Sequence, residues 1–197
     1  MKKIILILCI LFAGLTLQAN NADAYIIAGT TNFAVAGQWS GYATWTVLAP
    51  MDTVFPAGWT ATWSATSDYS YFYQIHNNAN SSLSLTQFAI GNPYKTTLTS
   101  VAYLNATGDV SPSGVSGGTY GAIFNFDYSS GSQIDPGQTS DILYLTSAFP
   151  PGTASAGLQA PGYNDFQNVP MPVPEPGSLV LLGMGILGLF GLGRKKL

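Results

Sequence analysis

The sequence predicts an all-β protein, an antiparallel β-sandwich or jelly-roll-like body, and three observations lead there. Thr, Val, Ile, Tyr, Phe and Trp recur in short runs separated by Gly, Pro, Asn and Ser, the punctuation of many short strands. One run, DYSYFYQIHNN, alternates with the period of two that a pleat imposes, setting Tyr69, Tyr71, Tyr73 and Ile75 against Ser70, Phe72, Gln74 and His76. The body has no convincing amphipathic helical period, and no fixed repeat points to a solenoid or propeller.

The chain opens with MKKIILILCILFAGLTLQANNADA: Lys2 and Lys3, an uncharged apolar run over residues 4–17, then small polar residues. This is the pattern of a secretory signal peptide over residues 1–24, with Ala22 and Ala24 forming an A-x-A cleavage site and Ala19 an earlier alternative. The run falls short of the roughly 20 residues a spanning helix needs, which argues against an uncleaved anchor. Cys9 is the single cysteine and lies inside this leader, so a mature chain would have neither thiol nor disulfide.

Strands are expected next in QWSGYATWTVL and in GWTATWSAT, where Trp59, Ala61 and Trp63 alternate with Thr60 and Thr62. DYSYFYQIHNN and SLSLTQFAIG follow as a hairpin-like pair around an Asn-rich turn. In the second member Leu83 and Leu85 share one face while Phe88 and Ile90 fall on the other, which places a bulge or bend near Thr86. GAIFNFDY brings Phe124, Phe126 and Tyr128 together, and TSDILYLTS resumes after the turn IDPGQ. Around seven strands over residues 25–161 make the sandwich. From Pro150 the texture turns to Pro, Gly and Ala, read as a late edge segment that passes, with a boundary near Pro161, into an extended Pro-rich linker over residues 162–173.

Charge narrows the function classes. Only 8% of the chain is charged, against roughly 25% in ordinary soluble domains. Over residues 25–173 the sole base is Lys95 against seven aspartates, a net charge of −6 with His76 neutral. A body without a basic patch cannot neutralise phosphates, which excludes nucleic acid as a partner. Nucleophilic catalysis lacks its parts, since one histidine and no thiol remain and no serine has a nucleophile-elbow context. His76 therefore reads as a polar residue beside a turn, no catalytic residue is assigned, and the protein is expected not to be an enzyme. Zinc would need three or four His, Cys, Asp or Glu ligands, and Asp127, Asp135 and Asp141 lack calcium-loop spacing, so neither metal nor cofactor is expected.

The C-terminal stretch, VPEPGSLVLLGMGILGLFGLGRKKL, has three parts in order: Pro174-Glu175-Pro176, an apolar run, and a basic end of Arg194, Lys195 and Lys196. The run over residues 179–192 makes about 21 Å of helix, a marginal span for a core of about 30 Å. The basic end would stay cytoplasmic and leave the body outside. Prolines on both sides of Glu175 hold it extended at the membrane face, where an enzyme could read it. Residues 174–197 resemble the PEP-CTERM sorting signal of Gram-negative bacteria. That resemblance implies recognition by an exosortase, cutting at or near Pro174, Glu175 and Pro176, and a transient inner-membrane anchor. It also implies delivery to the cell surface or outside, often in cells that make exopolysaccharide.

Two readings of the body remain open. One is a structural or adhesive protein of the cell surface or extracellular matrix, linked to exopolysaccharide. The other is a carbohydrate-binding module with an aromatic face, since sugar rings stack on exposed aromatics and the Tyr69, Tyr71, Tyr73 row would supply one. Asn80-Ser81-Ser82 and Asn105-Ala106-Thr107 also match glycosylation sequons.

Overall fold

In the computed structural model the described residues are 27–174 apart from 56–58, 60–61 and 106–108. The predicted leader, with Ala22 and Ala24, and nearly all of the tail lie outside them, as do Glu175, Pro176, Arg194, Lys195 and Lys196. Among the described residues no helix is long and apolar enough to cross a membrane.

Among the described residues ten strands form two five-stranded antiparallel sheets. They are β1 (Ile27–Val35), β2 (Trp39–Leu48), β3 (Tyr69–Asn77), β4 (Gln87–Gly91), β5 (Ser100–Leu104), β6 (Gly114–Gly118), β7 (Gly121–Asn125), β8 (Ile142–Ser147), β9 (Pro151–Ala160) and β10 (Tyr163–Pro172). The first sheet runs β1-β2-β3-β8-β5 and the second β10-β9-β4-β7-β6. Their inner faces share one core, built from Trp39, Tyr71, Tyr73, Leu143 and Leu145 of the first and Phe88, Phe124, Leu158, Val169 and Met171 of the second. This is the face-to-face packing of a β-sandwich.

Local chemistry explains the turns. Gly37 (φ 72°) closes the β1–β2 hairpin, and Pro161 with Gly162 (φ 80°) closes β9–β10, the Pro-then-Gly order of a type II turn. At the expected break, Leu85 bridges Ile134 while Thr86 donates its N–H to the Gln159 carbonyl at 2.8 Å. The chain changes partners there, and Leu85, Phe88 and Ile90 all end up buried despite the odd spacing.

Four expectations are corrected. β3 and β4 are no hairpin: β3 pairs with β2 and β8, and β4 with β7 and β9. Alternation fixes which face a residue takes and leaves the partner strand open. Trp59 and Trp63 sit in the long β2–β3 connection and not in a strand. Among the described residues strands number ten where around seven were expected. Residues 162–173 are no linker, because β10 occupies most of them, pairs with β9 along its whole length and buries Val169 and Met171. The sandwich therefore continues through Pro172, and Pro161 is a hairpin turn inside it.

The edges β1 and β10 approach each other in antiparallel sense without joining the sheets. Thr31 Oγ1 donates to the Asn168 carbonyl at 3.1 Å, and the Asp165 carboxylate accepts the Ala34 N–H at 3.0 Å. A carboxylate on an edge amide blocks strand addition at that point. This pairing also puts the start of β1 beside the end of β10, so both ends of the body leave from one pole and the Gly37 and Gly162 turns mark the other.

Candidate functional site

The end of β10 is where the body meets its tail, and several contacts hold it. Tyr73, fully buried, donates its hydroxyl to the Pro170 carbonyl at 2.5 Å, Thr96 Oγ1 reaches the Pro172 carbonyl at 3.4 Å, and the Val173 N–H reaches Pro150 at 3.0 Å. Val173 also packs over Gly152, where a Cβ would collide with its Cγ2. These contacts hold the chain through Val173.

The two outer faces of the sandwich differ. On the first sheet Phe72 and Tyr144, directly paired across β3 and β8, are covered by Phe55, Trp59 and Trp63 from the β2–β3 connection. Phe55 and Trp59 stack with centroids 5.8 Å apart, while Trp63 meets Phe72 and Tyr144 edge-on at 4.9 Å each. On the second sheet no such cover exists among the described residues. Register sets three rows across its outer face. The middle row runs Phe166, Gly157, Ala89, Ile123, Ser116 from β10 to β6. Beside it, towards the Gly162 turn, runs Asn164, Gln159, Gln87, Asn125, Gly114. The row on the other side holds Asn168, Ser155, Gly91, Gly121 and Gly118. None of these residues carries a charge.

Residues 172–195 match the family model described as the PEP-CTERM protein-sorting motif. The chain carries a PEP-CTERM sorting signal. That signal implies exosortase-dependent sorting of an exported protein to the cell surface. No curated protein and no solved structure matches the chain. The PEP-CTERM match begins at Pro172, the last residue of β10, so signal and sandwich share that residue with nothing between them. Of the sorting triplet only Pro174 is among the described residues, and it is half-buried.

The other residues singled out from sequence are scattered. Tyr71 and Tyr73 are fully buried core residues, and Tyr71 donates to the Phe149 carbonyl at 2.7 Å. Burial, with the neighbouring tyrosine second, pushes both phenols far above their ordinary value. Tyr69 is half-buried against the same core. This row cannot be a sugar platform: the face that looked like an aromatic surface is the inside of the sandwich. His76 Nδ1 lies 2.8 Å from Thr139 Oγ1 and its ring packs against Tyr42 at 4.8 Å. Asp135 accepts from Ser84 Oγ at 2.5 Å and Asp141 from Ser111 Oγ at 2.6 Å. Asp127 accepts the N–H and hydroxyl of Ser129 at 3.0 and 2.7 Å, which hold its carboxyl below the ordinary value. Among the described residues no three His, Cys, Asp or Glu stand together in a way that could hold a metal.

Sequence reasoning missed the uncharged outer face of the second sheet. Its amides come from four strands of which only β9 and β10 are consecutive in the chain, and register aligns them. A weak signal was present, since GYNDFQN and TQFAIG carry amides two residues from an apolar residue, in strand period.

Proposed function

We propose that this exported protein is held briefly at the inner membrane, cut by an exosortase at or near Pro174, Glu175 and Pro176, and displayed outside the cell in a structural or adhesive role with exopolysaccharide. It carries no catalytic function in this reading. The observation that carries the proposal is the pairing of a sorting signal fused to the end of β10 with a broad uncharged sheet face at the surface of the same body. Supporting the non-enzymatic part, His76 and the carboxylates of Asp127, Asp135 and Asp141 are taken up by hydroxyl and backbone partners of the fold.

The test follows the protein in its own cells. The intact mass of the recovered protein is compared in strains with and without the exosortase, and its distribution in strains with and without exopolysaccharide synthesis. Exosortase-dependent loss of the tail, with the processed protein held in the polymer fraction, is expected. A mass that keeps residues 179–197 in both strains removes the processing step. Equal release to the medium whether or not polymer is made removes the adhesive role.

A further inference from the structure

We infer that the outer face of the second sheet is a binding site for a neutral polysaccharide strand, with the amide row as its hydrogen-bonding rail and Phe166 as its stacking platform. This rests on the adhesive reading above and gives it a location and a ligand class.

Charge selects the ligand. The face is uncharged, and the body around it carries a net charge of −6 over residues 25–173, so an anionic polymer is repelled and a neutral one is not. The amides select its chemistry. Asn164, Gln159, Gln87 and Asn125 lie on four adjacent strands in register, three steps of about 4.8 Å that make a rail about 14 Å long. Gln87 Nε2 donates to Asn125 Oδ1 at 2.8 Å, which orients both groups, and no described residue takes up the side-chain amides of Gln159 and Asn164. Each amide offers two donors and an acceptor, the mixed complement that a row of sugar hydroxyls answers.

Phe166 supplies the apolar part. It is 60% exposed, and its ring rests so close over Gly157 that a Cβ there would stand 2.8 Å from Cε1. Only glycine opposite lets the ring settle onto the sheet, which holds a flat apolar surface in place before any ligand arrives. The C–H face of a pyranose fits such a surface. Clefts of ≈ 220 Å³ beside Gln159 and Asn164 and ≈ 570 Å³ beside Asn125 and Gly114 continue the rail at its two ends, and the second has the Asp127 carboxylate on its wall, a further charge against an anionic polymer. The rail also lies towards the Gly162 turn, at the pole opposite the one from which the sorting signal leaves.

The test is affinity electrophoresis of the full chain in detergent micelles, through gels containing hydroxyethylcellulose, galactomannan, the exopolysaccharide of the producing cells, or alginate as the anionic comparison. Retardation by at least one neutral polymer is expected, weakened at least tenfold by Phe166→Ala and by the pair Gln159→Ala and Asn164→Ala. Tyr120→Ala, at an exposed turn off the rail, should leave it unchanged. Near-UV circular dichroism of each variant, with the two-amide variant as the milder change, separates lost binding from lost fold. No retardation by any neutral polymer overturns the site, as does retardation that survives both sets of changes or a preference for alginate. So does a Phe166→Ala effect confined to self-association in sedimentation, which would make the face a contact between copies. In cells, Phe166→Ala protein that stays in the polymer fraction sinks this site and spares the adhesive role. Wild-type protein absent from that fraction sinks the role itself.

Discussion

The outer faces of the two sheets are built from the same pleat and have opposite fates. The face of the first sheet carries Phe72, Tyr144 and Ile142, and the long β2–β3 connection folds back to cover it with Phe55, Trp59 and Trp63. The face of the second carries amides, glycines and a few apolar side chains, Phe166 and Ile123 among them, and the turns at Gly162 and Tyr120 that join its neighbouring strands are too tight to reach across it. What a sheet leaves open thus depends on connection length as much as on strand sequence: apolar side chains and a long loop make a second core, amides and short loops a surface.

The comparison breaks most sharply at Phe72. Replacing it with Ala removes the floor under three aromatic contacts and should cost about 3–5 kcal/mol in urea unfolding, the range for truncating a buried Phe. Trp63→Ala opens the cover while leaving the floor, and about 2 kcal/mol is expected because the side chain is only half-buried. Tyr73→Phe strips the hydroxyl from the Pro170 carbonyl and should cost about 1–3 kcal/mol. Hydrogen exchange should locate that loss in β10, nearest the sorting signal. Phe166→Ala, on the open face, should shift stability by no more than about 0.5 kcal/mol. A loss as large as that at Phe72 would mean that the second face is covered after all.

The smallest effect is a pH dependence beneath the first face. Asp109 sits at the Gln74 end of β3, and burial, with Asp141 second, raises its carboxyl above the ordinary value, while the Gln74 amide at 2.9 Å opposes the shift. An acid whose folded value is raised binds its proton more tightly folded than unfolded, so stability falls as pH climbs through that window and then levels. Asp109→Asn should flatten this decline in melting temperature between acid and neutral pH, by a small amount because the group is largely solvated.

Much of the fold was legible where a strand's own residues decide it. The alternation in β3 and the break in parity near Thr86 can be read from the residues themselves, whereas the partners taken on either side of that break cannot. β10 was illegible because Pro170 and Pro172 read as linker, yet β10 is an edge strand paired only with β9, and an edge has a row of amides that proline can do without. Trp59 and Trp63 alternate as a strand would, and their apolar surface goes to a cover instead. The Tyr69, Tyr71, Tyr73 row shows the general gap: parity groups side chains on a face without saying whether that face looks in or out. The sorting signal needed no register, since its three parts are consecutive in the chain.

The antiparallel approach of β1 and β10 has a bearing on how the protein is made. Because the body begins and ends at one pole, its polypeptide can close into the sandwich while held at both termini, with no end to be threaded through the structure. Under the proposed processing, folding need not wait for a cut at either end. A protease working at Pro174 would then trim a finished object, and detachment would free it without disturbing a single strand.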